Sequence, residues 1–386
     1  LTLHTIVVPT ENKKQQLHYT HCMHIMAPDN ESRMKFMSAT ITSKPVIIED
    51  VETEETTEEA SVDNNSSVRC KPTTTCHTYK PPVWTRNILT RIPENGRVSL
   101  AHLPTPIHKF QFHNNDTGNN ANLDTLMVKR DDMSGGVELG GNKIRRIEFL
   151  LADALQTGCD CVVTIGGSDQ SNQCRATAVA ARMVGLEPHL ILRTCETKVD
   201  CNDKLGYTGS LLYGRMAGAR IHTVTKDEYT RIGSTALLDM VCNQLREQGK
   251  KPYPVPVRSQ GKTPDAPPAG GTKNAIGTWG YIEAARELKD QMQASQQKLD
   301  HIVLACGSGG TIAGLTIGIA LAFAGEAHKP KVHGVGVCND PDYFYREIYH
   351  IGKDLGMFAD VSREQGLDQV KEWVTIYQGQ GLGYAT

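Results

Sequence analysis

The sequence predicts an α/β fold in which open, mostly parallel sheets are covered by helices on both faces. Three observations carry this expectation. Short apolar runs alternate with amphipathic or Ala-rich stretches from Leu126 to Val337, the order that buries a parallel sheet between helices. Glycine is abundant, with 35 residues, while aromatic residues make up only 6%, a balance suited to many tight turns. Three glycine-rich turns stand at the start of predicted helices, and open α/β sheets bind ligands at such junctions.

The elements follow in order. The first 83 residues read as a poorly ordered leader, because Glu49 to Glu59 is acidic and Thr-rich, Asn64 to Ser67 is polar, and neither has hydrophobic periodicity. His18, His21, Cys22 and His24 could ligate a metal, but no second half-site accompanies them, so no metal site is expected. Ser99 to Pro106 is an extended entry segment, since each proline biases its predecessor away from helix. Leu126 to Lys129 is a short strand, and Ile144 to Leu155 an amphipathic helix ending at Gly158. Cys161 to Ile165 is a buried strand, and Asn172 to Val184 an Ala-rich helix stopped by Gly185. His189 to Leu192 and Ile221 to Val224 are strands. Ile302 to Ala305 is a strand followed by a helix from Thr311, and Val332 to Val337 a further strand. Arg258 to Ala269 is Pro-rich, charged and aperiodic, and reads as a surface loop or insertion.

Composition narrows the function classes. Forty-three acidic residues against 41 Lys and Arg give no electrostatic reason to expect nucleic acid or an anionic membrane as partner. Eleven cysteines, odd in number and without a CxxC pair, argue against a disulfide framework and for a reducing compartment. Cys159 and Cys161 read as small buried hydrophobes. Leu1 to Val8 lacks the basic start and the length of a secretory signal. The apolar stretch Leu304 to Gly325 is interrupted by the turn Gly307-Ser308-Gly309-Gly310 and reads as a buried core helix rather than a membrane span.

Three junctions carry the chemistry. In Leu139-Gly-Gly-Asn-Lys143 a lysine follows a tight turn and opens a helix. A helix N-terminus disfavours an ammonium, lowers its pKa and suits the amine to imine formation and base work; a solvated lysine beside a turn is the plain alternative. In Gly166-Gly-Ser-Asp-Gln-Ser171-Asn172 a buried strand runs into a polar helix start, where Ser171 and Asn172 would act as caps, as ligands, or as both. In Cys306-Gly-Ser-Gly-Gly-Thr311 a strand enters a glycine turn before an apolar helix. Its backbone N–H groups and helix dipole suit a phosphate, unless it is only a tight turn. It is neither a full dinucleotide fingerprint nor a Walker loop, because Ile312 stands where the last glycine would be and Ile144 follows Lys143. A lysine for an imine and a phosphate cradle on one α/β chain suggest pyridoxal 5′-phosphate, a small phosphorylated cofactor.

In this order the motifs resemble those of the fold type II (tryptophan-synthase-β-like) pyridoxal-phosphate enzymes, and more narrowly the D-cysteine desulfhydrase and 1-aminocyclopropane-1-carboxylate (ACC) deaminase family. The matching text is KRDD (129–132), GGNKIRRIEFLLADAL (140–155), QSNQCRATAVAARMVGLEPHLILR (170–193), GTWGYIEA (277–284), ACGSGGTIAGL (305–315), CNDPDYFY (338–345) and GLGYA (381–385). The resemblance implies two open sheets, with a large cofactor-binding domain at 84–143 and 251–386 and a small domain at 144–250. It implies a Schiff base between the cofactor and Lys143, which would also be the base at the substrate Cα. Asn172 would bond the cofactor's phenolic oxygen, and Ser171 would meet the substrate carboxylate or assist proton transfer. Gly307, Ser308, Gly309, Gly310 and Thr311 would hold the phosphate, and Tyr384 would be the active-site tyrosine. The implied substrate is a small amino acid, D-cysteine first and ACC as the alternative. The implied assembly is a homodimer, in the cytoplasm or mitochondria.

The sequence departs from the family in three places. Two residues, Ser168 and Asp169, stand where the family has one. Arg258 to Ala269 has no counterpart. Members of the family continue past the position of Thr386, through a second active-site tyrosine and the partner of the pyridine nitrogen. That difference leaves a cofactor-holding protein without turnover as a further alternative.

Overall fold

The computed structural model describes residues 5–8, 76–110, 126–166, 170–194, 205–256, 271–337 and 339–379. In chain order the strands are β1 (Thr5–Val8), β2 (Cys76–His77), β3 (Arg97–Val98), β4 (Ile107–Phe110) and β5 (Leu126–Lys129). Helix α1 (Lys143–Gln156), β6 (Cys161–Gly166), α2 (Asn172–Met183), β7 (Glu187–Thr194), α3 (Gly209–Met216) and β8 (Arg220–Thr225) follow. Then come α4 (Lys226–Ile232), α5 (Ser234–Glu247), β9 (Pro252–Val255), α6 (Gly271–Ser295), β10 (His301–Cys306) and α7 (Gly310–Ala322). Strand β11 (Lys331–Gly336), α8 (Pro341–Asp354), α9 (Arg363–Trp373) and β12 (Val374–Gln378) complete the described chain.

Two open sheets organise these elements, beside a small β2–β3 pair. The four-stranded sheet runs β8-β7-β6-β9 and is parallel throughout. Its two faces are covered by different helices, because alternate residues of a strand point to opposite sides. Cys161, Val163, Ile165 and Ile191 pack with Leu237, Leu238, Cys242 and Leu245 of α5. Leu190 and Leu192 pack with Cys174 and Ala178 of α2 and Leu211 of α3. Strand β9 belongs to this sheet, whereas the expected division at residue 250 assigned it to the larger part; four residues of backbone pairing with β6 decide its place.

The six-stranded sheet runs β12-β11-β10-β1-β5-β4. It is parallel along β10, β11 and β12, and antiparallel where β1 and β4 join. Thr5–Val8, assigned to the leader from sequence, is therefore a strand between β10 and β5. The run Thr-Ile-Val-Val has the β-branched content that fits a pleated surface. Ile302, Leu304, Cys306, Val332, Val374 and Ile376 bury one face of this sheet in a core with α6, α7 and α8. No described helix is long and apolar enough to cross a membrane, and α7, apolar all round, is buried from Ile312 to Ala322, as a core helix should be.

Glycines let three helices approach closely. A Cβ on Gly280 of α6 would fall inside the Arg145 carbonyl and stand 2.8 Å from the Arg146 amide nitrogen of α1. On the other side of the contact set, a Cβ on Gly318 of α7 would stand 2.6 Å from the Ala285 Cβ of α6. A Cβ on Gly314 would collide with Tyr281. Helix α6 thus holds the start of α1 and the body of α7 at fixed separations, and each helix start carries one of the sequence motifs.

Candidate active site

Lys143 is the first residue of α1. The turn before it needs glycine: Gly141 has φ +118, and a Cβ on Gly140 would lie 2.6 Å from the Asp132 carbonyl oxygen. The Gly141 amide donates to the Asp131 carbonyl at 2.9 Å, and the Ser134 hydroxyl donates to the Gly141 carbonyl at 3.0 Å. One turn into α1, the buried Arg145 guanidinium donates to Asp131 at 2.7 and 3.0 Å, to Glu287 of α6 at 2.9 Å and to the Thr105 hydroxyl at 3.1 Å. Lys129 adds an ion pair to Glu287 and donates to the Thr105 carbonyl at 2.6 Å. Burial alone would raise the Glu287 carboxyl, but Arg145 and Lys129 hold it at about 2. Glu148 accepts from the Leu100 and Ala101 amides at 2.6 and 2.7 Å and from Arg97 at 2.7 Å. The start of α1 is therefore fixed by charged hydrogen bonds from three directions, which suits a side chain that must be aimed.

No hydrogen bond or ion pair holds the Lys143 amine among the described residues. Burial, and then the neighbouring Arg146 charge, push its pKa down to about 8. The direction is the one expected from sequence; the leading cause is desolvation rather than the helix terminus.

The second piece is the start of α7. Gly309 caps it with φ 87 in the left-handed region and offers no side-chain cap. Ser171 caps α2, Thr225 caps α4, Asp340 caps α8 and Ser362 caps α9, whereas α1, α3 and α5, like α7, start without a side-chain cap. Bare N–H groups at a helix N-terminus are an anion site. The positive φ favours glycine here, and a Cβ on Gly309 would also press on the Glu347 Cβ at 3.3 Å.

Lys143, Ser308, Gly310 and Thr311 line one cavity. The juxtaposition expected from sequence is thus present. Asn142 ties the two motifs together. It stands at the N-cap of α1 without capping it, and its amide instead donates to the Thr311 hydroxyl at 2.8 Å. Arg146, Asn274, Gly277, Thr278 and Tyr281 complete the wall. Arg146 donates to the Pro256 carbonyl at 3.1 Å, and the buried Tyr281 has its pKa raised, first by burial. These residues escaped the sequence reading. Their signal was spacing: Arg146 lies one turn after Lys143, and Asn274, Thr278 and Tyr281 recur at helical intervals on one side of α6.

Ser171 and Asn172 stand at the carboxyl end of β6, at the start of α2. They are not part of the wall around Lys143. The Ser171 hydroxyl accepts from the Cys174 amide at 3.3 Å, so it does cap the helix. One turn on, Arg175 donates to the Gly140 carbonyl at 2.8 Å and links α2 to the turn before Lys143. Gly307 belongs to the same β10–α7 turn as Ser308. Tyr384, Ser168, Asp169, Cys338, the His18 to His24 group and Arg258 to Ala269 lie outside the described residues.

The arrangement fits pyridoxal phosphate by its donors. An amine of lowered pKa can form an imine, an uncapped glycine-lined helix start can take a phosphate dianion, and the Arg146 guanidinium beside them supplies positive charge. Residues 98–368 match the family model described as pyridoxal-phosphate dependent enzyme. The chain is 43% identical over 309 residues to the mitochondrial bifunctional D-cysteine desulfhydrase/1-aminocyclopropane-1-carboxylate deaminase of Arabidopsis thaliana, covering 80% of this chain and 68% of that protein. It is 36% identical over 289 residues to a putative 1-aminocyclopropane-1-carboxylate deaminase of Thermotoga maritima, covering 74% and 79%. A solved structure of an ACC deaminase homologue aligns with TM-score 0.49 and 29% identity over 67% of each chain.

Proposed function

The chain belongs to the family of pyridoxal-phosphate dependent enzymes, and from this premise we propose that it is a lyase converting D-cysteine and water to pyruvate, hydrogen sulfide and ammonia. A second reading, ACC deaminase giving 2-oxobutanoate and ammonia, is favoured by the names of both relatives above. The observation that carries the proposal is the shared cavity of Lys143 and the Gly309 turn.

When bound, the cofactor supplies an electron sink for negative charge developing at the substrate Cα. The residues of this chain do the rest. Thr311, Ser308 and the uncapped start of α7 would hold the phosphate together with Gly307, Gly309 and Gly310, and Arg146 would balance its charge. The Lys143 amine, neutral above about pH 8, would form the imine link and take the α-proton of D-cysteine. Asn172 would bond the phenolic oxygen, Ser171 would meet the substrate carboxylate, and Tyr384 would complete the site. The division between the two sheets would leave the substrate between the domain of β6–β9 and that of β10–β12. A homodimer and a cytoplasmic or mitochondrial location complete the proposal; the Arabidopsis thaliana relative is mitochondrial by name.

Lys143→Ala tests the reading. The variant is expected to lose the visible absorbance of lysine-bound cofactor and all sulfide release, and full retention of either would refute the role. Parallel incubation with D-cysteine and with ACC separates the two activities by product: sulfide and pyruvate from one, 2-oxobutanoate from the other.

A further inference from the structure

A second cavity, of about 440 Å³, opens at the amino-terminal edge of the four-stranded sheet, where β7 and β8 begin and α5 ends. The strands feeding α2 leave from the opposite, carboxyl edge. Glu187, His189, Arg220, Gln244, Gln248 and Lys250 are in its wall.

The wall is built around one carboxylate. Glu187 is paired with Lys250, accepts from Arg220 Nε at 3.2 Å, and stands 3.6 Å from His189 Nε2. Two cations therefore face a single carboxylate, and the Gln244 and Gln248 amides add neutral donors. His189 is only 3% exposed. Its Nδ1 is 3.1 Å from Nε2 of His222, while its own Nε2 has no hydrogen-bond partner among the described residues. Burial first, then His222, push the His189 pKa down to about 4 against the opposing Glu187, with Lys250 and Arg220 adding to the lowering. Glu187 itself is held below the usual carboxylate range, first by its hydrogen bond from Lys250.

We infer that this cavity is a binding site for a small oxyanion, a carboxylate or a phosphate, and that the Glu187 side chain is the chain's own occupant of it. Lys250 and the Arg220 guanidinium are the donors an oxyanion would use, beside the unpartnered Nε2 of His189. Glu187 is a quarter exposed, with a relative side-chain area of 27%, and can swing out to release them. The site stands on its own residues and does not depend on the reading of the Lys143 cavity.

The test is calorimetric titration of the cofactor-loaded full chain, freed of excess cofactor, with inorganic phosphate and, in a parallel arm, with succinate. One saturable site per chain is expected, and the tighter anion identifies the source chemistry. Glu187→Gln removes the internal competitor and is expected to tighten binding about tenfold. Lys250→Met and the exposed Arg220→Ala are each expected to weaken it by about the same factor. Arg220 lies 75% exposed, so its removal does not threaten folding. Absence of saturable binding by either anion in both parent and Glu187→Gln would overturn the inference. So would Lys250→Met and Arg220→Ala variants that bind as tightly as the parent, because the anion would then sit elsewhere.

Discussion

Replacing Gly280 with alanine perturbs the geometry between α6 and α1 without touching a chemical group of the cavity. A Cβ there would penetrate the Arg145 carbonyl and stand 2.8 Å from the Arg146 amide nitrogen. Ordinary contact needs about 3.5 Å, and the Arg145 carbonyl oxygen is the nearest obstacle, so the helices must part by more than about 1 Å at a point one turn from Lys143. The obstacle is backbone, and no rotamer change relieves it. Overpacking of this kind costs about 1–3 kcal/mol, and a rigid backbone clash belongs at about 3. Alanine gains about 1 kcal/mol over glycine in a helix interior, which leaves a net loss of about 2 kcal/mol. For a domain of this size that lowers Tm by roughly 4 °C. Thermal melting followed by far-UV circular dichroism measures it, and the same samples give the cofactor dissociation constant. Weaker cofactor binding is expected together with the lower Tm, since Lys143 and the Gly309 turn are spaced by this contact. A Gly280→Ala protein melting at or above the parent temperature would refute the reasoning, because helix propensity would then outweigh a clash the packing says is unavoidable.

Two further outcomes follow from the site's electrostatics. Cofactor uptake by the cofactor-free chain should speed up with rising pH around about 8, where the Lys143 amine loses its proton; a stopped-flow profile with its midpoint near that of an ordinary lysine would contradict a desolvated amine. Glu287, held at about 2, contributes stability that is complete above the ordinary glutamate range and is lost as the pH falls from there toward 2. The shift corresponds to about 3 kcal/mol, so the urea-unfolding gap between the parent and Glu287→Gln should narrow steadily from pH 6 to pH 3. A gap independent of pH would remove Glu287 from the account.

Much of this was readable locally. The turns before Lys143 and Thr311 announce themselves because only glycine meets their backbone demands, and Ser171 announces a cap because its oxygen lies three residues before an amide that needs an acceptor. Strands β5, β6 and β10 and helices α1 and α2 begin within a residue or so of where apolar pattern and flanking glycines put them. What stayed hidden depends on contacts between distant residues. Arg145 reaches Glu287 across 142 positions and Asn142 reaches Thr311 across 169; nothing near either residue names its partner. Thr5–Val8 has strand-forming residues, but only the edges of β10 and β5 give them ladders to join. The placement of β9 likewise followed from pairing, not from its own Pro-rich text.

The middle of α6 has a consequence for how this protein can vary. From Asn274 to Ala285 the helix meets α1 through Gly277 and Gly280, the cavity through Thr278 and Tyr281, and α7 through Ile282 and Ala285. Each residue added or removed in an α-helix turns everything beyond it by about 100°. A single-codon insertion here would exchange all three surfaces at once and aim a large side chain at the Arg145 backbone. Length changes should therefore be lethal in this stretch, while point substitutions are filtered one face at a time. Libraries meant to alter substrate choice should leave its reading frame of contacts untouched and vary the loops instead.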